Sequence, residues 1–210
     1  QRRCGLAREL VRAGQREPLE VLFETLANES SNGRGHAAES LYKVGELRDG
    51  RLLQAAFKQT DNERLQLMAA AALARKGQAD ALARLRMALK SNDVEMRKIG
   101  AWVLGLLGDR SDIAPLNALL KSETDELAAA YYVNALACLG DAPARVLLGK
   151  NLSSKTAAVR TYSAEFSGYC RAIEHRARLI ELLDDEHIDV RVRAAQALVM
   201  LSQPARRFAL

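Results

Sequence analysis

The chain has 210 residues, 49% of them hydrophobic, enough to bury a sizeable core as one domain or one continuous array. Only 4 prolines and 5% aromatic residues accompany abundant Ala, Leu and Arg, a mixture that suits helices and suits strands poorly. No apolar run reaches about 18 residues without charge or Gly, so no membrane span or signal peptide is expected, and a net charge of +5 fits simple solubility as well as nucleic acid.

In chain order, the first predicted helix is GLARELVRAG, ending at Gly14. Arg2, Arg3, Arg8, Arg12 and Arg16 surround it against the single acid Glu9, and such a charge run reads as a solvated face. LEVLFETL predicts a second helix, followed by AAESLYKVG ending at Gly45. The same two-part unit then repeats. LLQAAFKQ leads to AAAALARKG and Gly77, LARLRMALK to IGAWVLGLLG and Gly108, and APLNALLK to YYVNALACLG and Gly140. The glycines are 31, 32, 31 and 32 residues apart. Two further units keep the phase without glycine: ARVLLGKNL with YSAEFSGYC to Cys170, and ARLIELL with RAAQALVMLS to Ser202. Repetition at a fixed period of this length is the sequence signature of a stacked repeat.

Within each unit the spacing is helical. Leu10, Leu41, Leu73, Leu104, Leu136, Phe166 and Leu198 stand four residues before the terminal position. Ala7, Ala38, Ala70, Ala101, Val133, Ser163 and Ala195 stand seven before it. Large residues at one position and small ones at the other describe helices packed closely on their neighbours. Glycine just beyond fits a left-handed cap. Thr60-Asp61-Asn62, Ser91-Asn92-Asp93, Ser122-Glu123-Thr124-Asp125 and Asp184-Asp185-Glu186 supply N-caps in tight turns between the two helices of a pair. The unit is therefore helix A, turn, helix B, cap. Seven B helices and six A helices are expected, with no sheet.

DVEMRKIGAWVLGLLGD and DVRVRAAQALVML resemble HEAT repeats of the short type also found in phycobilin lyases. The resemblance spans nearly the whole of residues 1–210, taken as one array of about six hairpins, and implies an all-α right-handed solenoid. Arg97 and Arg191 match the basic position that such repeats carry early in helix B; Gln66 and Ala129 depart from it, so a continuous Asp–Arg ladder is not expected. The first unit has only its B helix, and Pro204-Ala205-Arg206-Arg207-Phe208-Ala209-Leu210 reads as the opening of another A helix. A segment of a longer protein is therefore expected.

In such a solenoid the B helices line the concave face. With the Leu and Ala positions turned inward, the outward stripe falls nine, six and two residues before the terminal position. It runs His36, Glu39, Lys43; Met68, Ala71, Arg75; Ile99, Trp102, Leu106; Tyr131, Asn134, Cys138; Thr161, Ala164, Gly168; Arg193, Gln196, Met200. Its centre is apolar and aromatic with polar flanks, as in a binding hot spot. The expected contact residues for a protein partner are Ile99, Trp102, Leu106, Tyr131, Asn134, Cys138, Met68 and Arg75. If the phase is off by one residue, Trp102 fills core instead.

No phosphate-binding glycine loop is present, since the glycines are single and recur at the repeat spacing. Cys4, Cys138 and Cys170 are odd in number and far apart, with no C-x-x-C pair. Neither a disulfide framework nor a zinc site is expected, which favours a reducing, cytoplasmic setting. His36 and Glu39 make half a metal site at best. Glu174-His175 and Glu186-His187 reverse the His-Glu order of HEAT-like deoxyhypusine hydroxylase, so its metal sites do not carry over. Two alternatives remain: a tetrapyrrole-binding subunit like the bilin lyases, and a nucleic-acid binder like HEAT-like alkylpurine DNA glycosylases, whose cationic groove the predicted centre lacks. The expectation is a non-catalytic protein-binding scaffold without cofactor, metal or membrane partner.

Overall fold

The computed structural model of the chain describes residues 2–203; the expected opening of a further A helix at 204–210 lies outside them. Thirteen helices and no strand occur among the described residues, and the chain divides into two compact units after Ala88. The N-terminal unit holds α1 (Arg2–Arg12), α2 (Leu19–Ala27), α3 (Arg34–Val44), α4 (Arg51–Phe57), α5 (Glu63–Ala74) and α6 (Ala79–Ala88). The C-terminal unit holds α7 (Val94–Leu107), α8 (Ile113–Ser122), α9 (Glu126–Cys138), α10 (Ala142–Asn151), α11 (Ala157–Tyr169), α12 (Arg176–Glu181) and α13 (Ile188–Ser202). Odd-numbered helices are the B type, and even-numbered ones the A type. This is the hairpin order that the repeat dictates.

Caps set the phase. Gly14, Gly45, Gly77 and Gly140 all have positive φ, the left-handed conformation that a Cβ opposes. Beyond each, the chain turns back to close a six-residue loop: Gln15 N–H reaches Leu10 O at 3.1 Å, Glu46 reaches Leu41 at 3.2 Å, Gln78 reaches Leu73 at 3.3 Å and Asp141 reaches Leu136 at 3.0 Å. The fifth closure, Ala172 N–H to Ser167 O at 2.9 Å, centres on Arg171, at φ 51°. The terminal position of that repeat is thus Arg171, one residue later than Cys170. Gly108 is a second correction. Its backbone is extended, and what it supplies is room, since a Cβ there would lie 2.5 Å from Leu104 O and 2.6 Å from an Asp112 carboxylate oxygen.

Three of the four expected polar turns cap the next helix: Asn62, Asp93 and Asp125 each accept a hydrogen bond from a backbone N–H of the following first turn, as Asp141 does for α10, whereas α13 begins at His187 without a side-chain cap after Asp184-Asp185-Glu186. Each such cap is worth about 1 kcal/mol.

Each inner B helix is enclosed on several sides. In the N-terminal unit, α3 packs on α1, α2 and α5, and α5 packs also on α4 and α6. In the C-terminal unit, α9 packs on α7, α8, α10 and α11, and α13 on α11 and α12. Small residues permit this. A Cβ on Gly105 would fall 2.7 Å from Ala135 Cα, and one on Gly168 would fall 2.9 Å from Ala197 Cα. Leu41, Leu73, Leu104 and Leu136 are buried beside these contacts, each worth about 1.5–3 kcal/mol of transfer free energy.

With the phase corrected, one early position of helix B is basic or amide-bearing in five repeats. Arg34 donates to Leu26 O and Gln59 Oε1, both at 3.0 Å, and Gln66 donates to Phe57 O at 3.0 Å. Arg97 holds the carbonyls of Ser91 and Asn92 at 3.0 and 3.1 Å, and Arg160 those of Ser154 and Lys155 at 2.9 and 3.1 Å. Arg191 does the same for Asp185 and Glu186 at 2.8 and 3.2 Å. These donors satisfy carbonyls near the end of the preceding A helix, where the helix dipole is negative and favours the four arginines. Ala129 interrupts the series; one turn upstream, Glu126 instead accepts Ser154 Oγ at 2.8 Å and Thr156 Oγ1 at 2.6 Å.

Candidate interaction face

The predicted stripe is built on the B helices, and its three positions behave differently. The first position carries Ile99 and Tyr131 on α7 and α9, both half-buried. On α11 the shift to Arg171 brings Tyr162 to this place rather than Thr161. The Tyr131 and Tyr162 rings meet with centroids 4.8 Å apart and planes tilted by 44°. Arg193 follows on α13. The last position carries Leu106, Cys138 and Tyr169, again half-buried, while Ala164 and Gly168, expected on the face, are buried in the stack.

The middle position is floor rather than surface. Asn134 is completely buried and Trp102 is only 9% exposed, which corrects their assignment as open contact residues. Arg193 reaches Glu165, the middle residue of α11, at 3.2 Å, and leaves that carboxylate 4% exposed. Ser163 Oγ donates to Asn134 Oδ1 at 3.4 Å, and Asn134 Nδ2 has no hydrogen-bond partner among the described residues.

Cys138 is corrected for a covalent reason. It is bonded to Cys170, with Cα atoms 4.6 Å apart, pinning the end of α9 to the end of α11. The Cys138–Cys170 bond thus departs from the expectation that the cysteines stay unpaired. Sequence separation hid the pair, although its 32 residues equal one repeat, which stacks the two positions directly. Cys4 is free and buried.

Met68 and Arg75 belong to the N-terminal unit. Met68 is fully buried in α5. Arg75 turns its guanidinium onto the cap of α3, donating to Tyr42 O and lying over Gly45. That placement explains a cation there as a helix-end contact. On α3, Glu39 accepts Lys43 Nζ at 2.8 Å and stands 3.7 Å from His36. Burial works to raise the Glu39 pKa, but Lys43 outweighs it and holds the carboxyl below its ordinary value.

The other acid–histidine pairs have structural partners too. Arg145 hydrogen-bonds Glu174 and lowers its pKa to about 2. His175 packs its ring over Gly149 and shares a 3.0 Å hydrogen bond with Ser167 Oγ, and burial lowers its pKa. Among the described residues no three His, Cys, Asp or Glu side chains stand placed to share a metal ion, and no helix is long and apolar enough to cross a membrane.

Residues 51–137 match the family model of HEAT repeats. No curated protein matches the chain. Among solved structures, the complex of CpcE and CpcF of phycocyanin lyase from Nostoc sp. PCC7120 is similar at 19% identity and a TM-score of 0.49, over 89% of this chain and 96% of that one. An engineered protein is similar at 21% identity and a TM-score of 0.41, over 89% and 97% of the two chains. A designed armadillo repeat protein is similar at 17% identity and a TM-score of 0.40, over 87% and 99%. Residues 51–137 thus match HEAT repeats, and the same order of paired helices recurs on either side of them among the described residues.

Proposed function

We propose that the chain is a non-catalytic binding module that holds a protein partner on the B-helix face of its C-terminal unit. The observation that carries this reading is the half-buried aromatic row on successive helices. Tyr131 and Tyr162 meet at equivalent repeat positions, Tyr169 lies two turns further along α11, and Ile99 and Leu106 extend the row onto α7. Tyrosine supplies large contact area with little side-chain entropy to lose, and it is enriched at hot spots. The packed floor of Trp102, Asn134 and Glu165 presents these side chains on a rigid base.

A photo-crosslinking amino acid at position 169 tests the reading, with position 146 on the exposed side of α10 as the control. A discrete protein adduct is expected in native extract from position 169 and not from 146. Tyr131→Ala should weaken it at least about tenfold while changing stability by no more than about 1–2 kcal/mol. A nuclease-sensitive adduct, a bound chromophore, or equal labelling from both positions would overturn the proposal.

A further inference from the structure

The two ends of the Cys138–Cys170 bond are held unequally. Both cysteines are half-buried, at the ends of α9 and α11, whereas Cys4 is 2% exposed. Cys138 stands between Leu106 and Tyr169 at the last position of the B-helix row, so solvent reaches the bond from the side that the row occupies. On the α11 side, Arg145 of α10 donates to the carbonyls of Cys170 and Arg171 at 3.2 and 3.1 Å. The Arg171 guanidinium in turn reaches Met200 O and Gln203 O, both at 2.8 Å. Cys170 is thereby tied to α10 and α13 as well as to its own helix. The end of α9 is closed by backbone hydrogen bonds of its own turn, Leu139 N–H to Ala135 O at 3.0 Å and Gly140 N–H to Ala137 O at 3.2 Å. It then passes through Gly140, at φ 93°, and glycine leaves that turn free to change its backbone angles. Without the bond, the end of α9 is the one that yields.

We propose that the Cys138–Cys170 bond is a reversible redox switch for the interaction face, which rests on the binding role proposed above. A dithiol supplies the reduction. One of its thiolates attacks the sulfur of either cysteine, forming a mixed disulfide and releasing the other cysteine as a thiolate. The second reagent thiolate then breaks the mixed disulfide. Two cysteine thiols and a cyclic reagent disulfide result, two electrons and two protons having passed to the chain. A small disulfide reverses the exchange and closes the bond. Bonded sulfurs stand about 1.5 Å closer than unbonded atoms in contact, so the two thiols part. Cys170 Sγ lies 4.0 Å from Asn134 O, an acceptor for the thiol that reduction creates. That contact keeps α11 on α9 at Asn134 and leaves the last turn of α9, Ala135–Cys138, to loosen. Cys138 is the middle of Leu106, Cys138 and Tyr169, so the row is continuous when the bond is closed and broken at its centre when it is open. A partner that spans the row binds the closed form better, by the about 5–150-fold usual for coupled sites.

Thiol alkylation, hydrogen exchange and cross-linking of the full chain test the proposal, at a temperature where circular dichroism shows the reduced chain folded. Dithiothreitol should open the bond at a rate unchanged by urea below the unfolding transition, with the alkyl labels mapping to Cys138 and Cys170, and oxidised glutathione should close it again. Reduction should speed amide exchange at Cys138, Leu139 and Gly140 at least about tenfold and change it at Arg171 and Ala172 by less than about twofold. The adduct formed from a photo-crosslinker at position 169 should fall at least about fivefold on reduction. In Cys138→Ser/Cys170→Ser it should be equally low with and without reductant. A reduction rate that climbs steeply with urea means that the bond opens only through unfolding, and overturns the proposal. So does equal exchange at the end of α9 in the two states, or an adduct undiminished by reduction. An adduct absent from both states, by contrast, refutes the binding role itself and the switch with it.

Discussion

Arg160 and Asp185 face each other across the fifth and sixth repeats through two hydrogen bonds, Nε to Oδ2 at 2.7 Å and Nη2 to Oδ1 at 2.9 Å. Both side chains are almost entirely buried, and the remaining Nη1 holds two carbonyls of its own hairpin. The Arg160 hydrogen bonds hold the Asp185 carboxyl below the usual carboxylate range. Removing one charge from such a pair strands the other. Arg160→Ala and Asp185→Asn should each cost about 3–5 kcal/mol in urea unfolding. The Arg160→Met/Asp185→Leu double variant should regain part of that loss and no more, because the carbonyls of Ser154 and Lys155 stay unpaired.

The architecture was legible from period and spacing because every hairpin obeys the same packing rule. The site was legible only in part, and two physical causes account for the misses. Reading the fifth terminal position as Cys170 displaced the α11 stripe by one residue, which hid Tyr162, Glu165 and Tyr169, and hid Arg160 from the basic series. Counting 31 residues on from Gly140 reaches Arg171 and would have found all four, but a left-handed arginine does not announce itself as glycine does. The second cause is depth. A helical wheel separates inward from outward, but it cannot tell that Arg193 folds back onto Glu165, or that Asn134 and Trp102 lie buried as floor.

Trp102 then behaves as core. Trp102→Ala should cost about 3–5 kcal/mol of stability, measured by denaturant melt, rather than the change of less than about 1 kcal/mol expected of a surface position. A small loss would return Trp102 to the contact surface.

Glu123 predicts an acid dependence. Burial raises its pKa, but N–H groups of Asp125 and Thr124, the Arg97 guanidinium and the Tyr132 hydroxyl outweigh that and hold it at about 2, against 4.5 when unperturbed. Between these values the unfolded chain binds the proton and the folded chain does not. The stabilisation is therefore complete above about pH 4.5 and is lost as pH falls toward about 2. Glu123→Gln should remove about 1–2 kcal/mol at pH 7, allowing for solvent screening at this turn, and should flatten the stability profile below pH 4.5. Unfolding midpoints from pH 2 to pH 7 should fall more steeply on the acid side in the parent than in the variant, which keeps the Glu174 and Asp185 contributions.

The Cys138–Cys170 bond closes a loop 32 residues apart in sequence. Its loss should lower stability by about 2–4 kcal/mol through the unfolded state. Cys138→Ser/Cys170→Ser should match the reduced parent in thermal midpoint, and reductant should leave the variant unmoved. A parent equally stable with and without reductant would mean that the bond contributes nothing to the fold.

Arg171 sets two effects of opposite sign against each other. Its left-handed backbone costs about 1–2 kcal/mol relative to glycine. Its guanidinium, however, donates to Met200 O and Gln203 O at the end of α13, both at 2.8 Å, and hydrogen bonds from a charged donor contribute about 1.5–3 kcal/mol each when well shielded. The Gln203 contact is exposed, so its share falls to the low end. The cap therefore outweighs the strain. Arg171→Gly should be net destabilising by about 1 kcal/mol, because relieving φ returns only part of what the lost contacts supplied. Arg171→Ala keeps the strain, loses both contacts, and should cost about 2–3 kcal/mol. The order of the three proteins in a thermal melt, Arg above Gly above Ala, is the discriminating result. Glycine above arginine would show that the guanidinium contacts are worth less than the backbone strain they accompany.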